Sequence, residues 1–119
     1  MKIVLTTTGT DLNAPLDPRF GRASRFLVAD LEDNSFQVVD NTTLNAAQGA
    51  GIQAAEVVVG LGAKVLITGH CGPKAFRVLQ SAGVEIFCTE AATVGEALAQ
   101  YRAGKLSRAM AATARGHWA

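Results

Sequence analysis

Two adjacent residues carry the clearest chemical potential in this chain: His70 and Cys71, an imidazole beside a thiol, bracketed by Gly69 and Gly72 and followed by Pro73. Imidazole and thiolate suit the same soft metals, Cu(I) among them. The preceding Val65-Leu66-Ile67 is apolar and mostly β-branched, as in a parallel strand covered on both faces. Pro73 fits the first position of a helix, where a missing N–H costs nothing. The pair is thus expected at the positive end of a helix, which would lower the Cys71 pKa and favour thiolate. Gly69 and Gly72 would let a ligand approach the backbone closely. The competing reading of Cys71 is a small apolar turn residue, since free cysteines are often packing groups. Cys88, next to Phe87 and Thr89, reads as packing, and His117 as incidental.

A second cluster, Arg19, Arg22 and Arg25, lies in or beside a loop over residues 11–23 that also holds Pro15, Pro18 and Gly21. A loop this long in a small domain is usually functional or disordered. Arginines gathered in it suit anion recognition, against a reading as ordinary surface charge.

Several chemistries are disfavoured by what is missing. The sequence has no G-x-x-x-x-G-K-[ST], H-E-x-x-H or C-x-x-C, and Gly49-Ala50-Gly51 is not a dinucleotide fingerprint. His70-Cys71 to Arg77 does match H-C-x5-R, the pattern of cysteine-dependent phosphatases, whose loop amides wrap a phosphate. Here Pro73 removes one such amide, no glycine sits mid-loop, and Val78 stands where a hydroxyl residue normally follows the arginine. A helix beginning at Pro73 would carry Arg77 more than a turn away. A Cys71-dependent thiol enzyme remains an alternative on these residues.

The positioning elements follow from periodicity. Strands are expected over residues 2–7, 26–31, 36–40, 64–68 and 84–87, with the polar turn 32–35 making the second and third an antiparallel hairpin. Helical spacing covers 48–58, with Ile52, Ala55 and Val59 on one face and Gly60 and Gly62 ending it. Further helices are expected over 73–81 and 93–102, the last opened by a Thr93/Glu96 capping box. The order β-β-β-α-β-α-β-α gives an α/β, three-layer α/β/α domain. Its five-stranded mixed sheet should run 3-2-1-4-5, with strand 2 antiparallel. Four strands then finish at one edge, where ligands of open α/β sheets bind. That edge should collect the arginine loop, segment 42–51, the 69–72 turn and the 88–92 turn. The sheet order resembles the ribonuclease H fold, but the first and fourth strands lack the carboxylates a nuclease needs to hold metal ions.

The chain has 119 residues, 49% hydrophobic and 18% charged, with formal net charge +1. That describes one globular domain over residues 1–103 and argues against a nucleic-acid binder. Residues 104–119 read as a basic tail, a solvated and frayed end. No apolar run reaches the roughly 20 residues of a membrane span. The opening residues lack a signal-peptide pattern, and two cysteines form no disulfide framework, so the expected setting is cytoplasmic and reducing.

Four short segments occur together: the opening strand 1–5, Asp17-Pro18-Arg19-Phe20-Gly21-Arg22, Gly49-Ala50-Gly51-Ile52-Gln53-Ala54-Ala55, and Thr68-Gly69-His70-Cys71-Gly72-Pro73-Lys74-Ala75-Phe76. In this order they resemble the small-domain dinitrogenase iron–molybdenum cofactor biosynthesis family, over about residues 1–103. The family's first loop often carries a cysteine where this chain has Ala23. The resemblance implies a ribonuclease H-like fold that binds or delivers a metal–sulfur cluster rather than catalysing a reaction. In short members the cluster is a molybdenum–copper sulfide held non-covalently; a related Mo or Fe–S cluster is the variant. A sulfide cluster is a polyanion and needs positive charge, amide donors and an apolar wall. Arg19, Phe20, Gly21, Arg22, Gly49, Gly51, Gly69 and Gly72 would supply these, with His70 or Cys71 adding one metal bond. A cubane would want four cysteines, and the chain has two. The expected partners are the cluster and a protein that accepts it or signals with it, without nucleic acid or membrane. A metal-free regulatory module binding an anion or a partner is the other alternative.

Overall fold

A computed structural model describes residues 1–43 and 49–111. The strands are β1 (Lys2–Thr7), β2 (Arg25–Asp30), β3 (Ser35–Asp40), β4 (Ala63–Thr68) and β5 (Glu85–Cys88). The helices are α1 (Ala50–Gly60), α2 (Pro73–Ser81) and α3 (Val94–Arg102), with a 3-10 turn at Phe20–Arg22. One sheet holds all five strands in the order β3-β2-β1-β4-β5. β2 is antiparallel to both β1 and β3, whereas β1/β4 and β4/β5 are parallel. The topology inferred from the sequence is therefore the observed one, and β1, β3, β4 and β5 all end at one edge.

Alternation along each strand builds a core on both faces. Val4, Val28, Leu66 and Ile86 face one side, against Ala54, Ala55 and Val58 of α1 and Ala75, Phe76 and Leu79 of α2. Ile3, Leu5, Leu27, Val65 and Ile67 face the other, against Val94, Ala97 and Leu98 of α3 and Leu16 of the long loop. Two helices thus cover one face and one helix plus a loop the other.

Most boundaries lie within a residue or two of the expected ones, but the buried face of α1 does not. The buried residues are Ala50, Gly51, Ala54, Ala55 and Val58, while Val59 is 37% exposed and Ile52 only half-buried. The helix turns its small residues inward, and that stripe lets it lie close against α2 and the 3-10 turn. The branched residues that dominate a hydrophobicity pattern are pushed to the margin. Gln48, expected at the helix start, lies outside the described residues.

The capping box exists with a shifted reciprocal bond. The Glu96 amide donates to Thr93 Oγ1 at 3.1 Å, but Glu96 Oε2 accepts from the Ala92 amide at 3.3 Å. Within the described part of the expected basic tail, Leu106 packs against the α3-side core and Ala109 against the other. The rest of the tail, with Arg115 and His117, lies outside the described residues. No described helix is long and apolar enough to cross a membrane.

Candidate functional site

The 8–23 loop is stitched to the carboxyl edge of the sheet rather than free above it. The buried hydroxyls ending β1 and β4 begin the stitching. Thr6 Oγ1 donates to the Asp17 carbonyl at 2.7 Å and shares a 2.8 Å hydrogen bond with Thr68 Oγ1. Thr7 Oγ1 donates to the Pro15 carbonyl at 2.8 Å. At the α3 end, the Leu16 amide donates to the Ala92 carbonyl and the Val94 amide to the Ala14 carbonyl.

The arginine loop then runs directly alongside the histidine–cysteine turn. The His70 amide donates to the Pro18 carbonyl at 2.7 Å, and the Phe20 amide donates to the His70 carbonyl at 3.2 Å. Arg19 and His70 form a parallel bridge. Gly69 is required for this contact, since a Cβ there would fall 2.5 Å from Pro18 Cα. The space was expected to admit a ligand; the chain's own proline fills it.

The candidate residues divide by exposure. Arg22 is exposed, and among the described residues its guanidinium has no ion pair. Arg19 has a 52% exposed side chain whose Nε is 3.6 Å from Asp17 Oδ1, and the same oxygen accepts the Arg19 amide at 2.9 Å. Asp17 is itself buried, so it fixes the Arg19 backbone while the guanidinium reaches outward. Arg25 belongs to β2 and is occupied: it pairs with Asp40 at 3.3 Å and donates to the Thr8 carbonyl at 2.7 Å. Phe20 is fully buried in the core beside Phe26, with ring centroids 6.1 Å apart. It props the loop from beneath and offers no exposed wall. Gly21, Gly51, Gly69 and Gly72 are likewise buried, and Gly49 is exposed.

Cys71 departs furthest from expectation. It is 1% exposed, packs in the α1/α2-side core, and its Sγ lies 3.8 Å from the Gly72 carbonyl it donates to. Burial pushes its pKa up from 9.0 to about 12, with nearby Cys88 adding to the shift. Desolvation of the charged form outweighs the helix terminus that was expected to favour thiolate. The phosphatase pattern fails on geometry as well: α2 begins at Pro73, Arg77 is exposed on it, and the thiol is covered.

Cys88, read as packing, does pack against the α1/α2-side core, and it also lines a cavity of about 360 Å³ with Gly69, His70, Thr89 and Glu90. Its signal was present: it ends β5 at the carboxyl edge, where the turn holding Cys71 also lies. His70 is also half-buried, with Nδ1 shielded from solvent. Among the described residues, no three His, Cys, Asp or Glu side chains group to hold a metal ion.

The helix termini complete the electrostatics. All three described helices start at this edge, but among the described residues only α3 is closed by its own side chains, Thr93 and Glu96. α1 and α2 begin at Gly49 and Gly72, with no side-chain cap and no acidic residue in the first turn. They pack side by side, and α1 also contacts the 3-10 turn that carries Arg22. Lys74, which sequence reasoning passed over, adds an exposed cation in the first turn of α2. A cation there has the wrong sign for the helix's own dipole. With an external anion the sign becomes favourable.

Comparison with known proteins agrees with the fold and the family resemblance. The structure is similar to the apo form of the orange protein from Desulfovibrio gigas, with TM-score 0.92 and 39% identity, covering 95% of this chain and 96% of that one. It is also similar to a NifB-type protein from Thermotoga, with TM-score 0.84 and 32% identity, covering 97% and 98%. An uncharacterized protein of Methanocaldococcus jannaschii is 26% identical over 99 residues, 81% of this chain and 84% of its own length. Residues 1–104 match the family described as dinitrogenase iron-molybdenum cofactor. With that match spanning the whole sheet and all three helices, the chain belongs to the dinitrogenase iron–molybdenum cofactor family.

Proposed function

We propose that this protein binds and carries a preassembled, anionic metal–sulfur cluster at the carboxyl edge of its sheet, for storage or delivery. Family membership and the likeness to the orange protein support cluster binding in general. The observation that carries the reading is the contrast between helix starts. Among the described residues, α1 and α2 lack side-chain caps and flank a turn bearing Arg19 and Arg22, while α3 is self-capped. Amide donors and guanidinium groups around one space form a cradle for a polyanion. Its cationic groups are Arg19, Arg22 and Lys74, and its amide donors lie about Gly49, Gly51 and Gly72. Phe20, Gly21 and Gly69 hold the loop in place from below.

The finer reading is a molybdenum–copper sulfide cluster held non-covalently. The lack of clustered ligands among the described residues fits a cage for a finished cluster better than a site that builds one from free ions. His70 would supply a single soft-metal bond. A bond from Cys71 would first require the thiol to be uncovered and deprotonated. Burial of the Cys71 thiol at the helix start, which pushes its pKa up, supports binding rather than catalysis. A receiving protein partner and a cytoplasmic setting belong to this proposal.

The test is anaerobic incubation with tetrathiomolybdate and a copper salt, followed by gel filtration, visible spectroscopy and elemental analysis. Co-eluting molybdenum and copper with charge-transfer bands are expected. A colourless, metal-free protein overturns the molybdenum–copper reading. Retention unchanged in the Arg19→Glu/Arg22→Glu double variant overturns the site.

A further inference from the structure

The chain continues beyond the family domain, which ends at residue 104. Gly104, at φ +71°, reverses its direction. The Gly104 amide donates to the Tyr101 carbonyl at 3.0 Å and the Lys105 amide to the Gln100 carbonyl at 2.9 Å, closing α3 as a Schellman turn. Residues 105–109 then lie along the outer edge of β5. Arg108 stands opposite Phe87 in antiparallel pairing, and the Ala109 amide donates to the Ile86 carbonyl at 2.7 Å. Arg108 Nη1 is 3.8 Å from Glu85 Oε2. Leu106 joins the core on one face of the sheet and Ala109 that on the other, as in a strand.

We propose that residues 105–109 are an exchangeable sixth strand. The outer edge of β5 is then a docking edge for an extended apolar–x–basic–small segment, which a second copy of this chain supplies by exchanging straps. An edge strand presents a row of backbone donors and acceptors that some segment must satisfy or blunt. The strap does so through few contacts, and its ion pair is about half exposed on both sides, a class of pair that adds little stability. Every contact it makes in one chain can be remade between two, because both edges and both straps are identical. Exchange then costs only the association and a change at the hinge. The hinge is identifiable, since the φ of Gly104 is one that L side chains rarely adopt. Charge also matches: the segment after Glu96 contains no acidic residue, and the β5 edge offers Glu85.

Sedimentation velocity on the full chain tests this. Gly104→Val strains the reversal and should lower the concentration for dimer formation at least tenfold relative to the unaltered chain. Adding Ala109→Pro, which removes the N–H donated to Ile86, should restore the monomer. A Gly104→Val protein that stays monomeric throughout the concentration range overturns the proposal. So does a double variant that still dimerises, because its association would not use the strap. Should Gly104→Val fail to fold, a peptide of residues 104–111 is titrated into the full-length Ala109→Pro protein. Saturable binding, weakened at least tenfold by Arg108→Glu in the peptide, supports the docking edge; no binding overturns it. Neither experiment requires a loaded cluster.

Discussion

The Pro18 carbonyl accepts the His70 amide at 2.7 Å, and two residues on the Phe20 amide returns a bond to the His70 carbonyl. This pairing makes the arginine loop and the histidine–cysteine turn one backbone unit. It depends on Gly69, where a Cβ would lie 2.5 Å from Pro18 Cα and 2.8 Å from its carbonyl oxygen. Gly69→Ala must therefore displace backbone. Overpacking of this kind costs about 1–3 kcal/mol. The expected outcome is a lower urea midpoint together with weaker retention of tetrathiomolybdate. Unchanged retention would show that the loop's position is irrelevant to binding.

The hydroxyl pair beneath this unit should behave as a coupled network. Thr6→Val leaves the Thr68 hydroxyl and the Asp17 carbonyl without a buried partner, at a cost of about 1–3 kcal/mol. Adding Thr68→Val removes one of those orphaned groups. The double variant should then lose less stability than the sum of the single variants, as a denaturation cycle would reveal.

Cys71 should be the slow thiol and Cys88 the fast one. Ellman's reagent under native conditions is expected to modify one equivalent readily, the reaction being lost in Cys88→Ser and kept in Cys71→Ser. The same burial makes a statement about stability. The folded pKa of Cys71 is raised to about 12 from 9.0, so the folded state holds the proton more tightly than the unfolded state. That contribution is complete below about pH 9 and declines as pH rises toward 12. Cys71→Ala should flatten the fall in stability over that window. An equal fall in the variant would assign it to other groups.

Helix capping and anion binding should separate cleanly. Thr93→Ala removes the side-chain cap of α3 and is expected to lower stability by about 1 kcal/mol without affecting anion retention. Arg22→Glu changes an exposed residue, so stability should move by only about 0.5 kcal/mol or less. Tetrathiomolybdate retention should drop at least tenfold in that variant. In the unaltered protein, retention should weaken as ionic strength rises, since the participating charges face solvent.

Local grammar in the sequence was enough to give the strand order and the helix ends. Apolar runs of strand length, a polar turn at 32–35 and glycines after each helix specify the elements. Pro73 opens α2, and Gly83 at φ +81° ends it at the residue expected. The meeting of Arg19, Arg22, His70 and Cys71 at one edge was also legible, because topology alone brings those loops together.

Exposure was not legible, because it depends on how far each group sinks once the layers close. Nothing in Pro73 or Gly72 reveals that the Cys71 thiol is buried in one core cluster with residues of α1, α2 and the 3-10 turn, so a helix-terminus argument favoured thiolate where desolvation wins. Phe20 reads equally well as a wall or a prop until Phe26 is packed against it. Gly69 reads as room for a ligand until Pro18 occupies that room. The role of the 105–109 segment also needed the sheet, since only the open edge of β5 gives it a place to lie. Sequence by itself determined the elements, their order and the edge where the chemistry gathers, because periodicity, turn residues and crossover handedness are short-range rules. Tertiary structure alone decided which of the gathered groups meet solvent and which are sealed in, because burial and the pKa that follows from it are sums over residues distant in the chain.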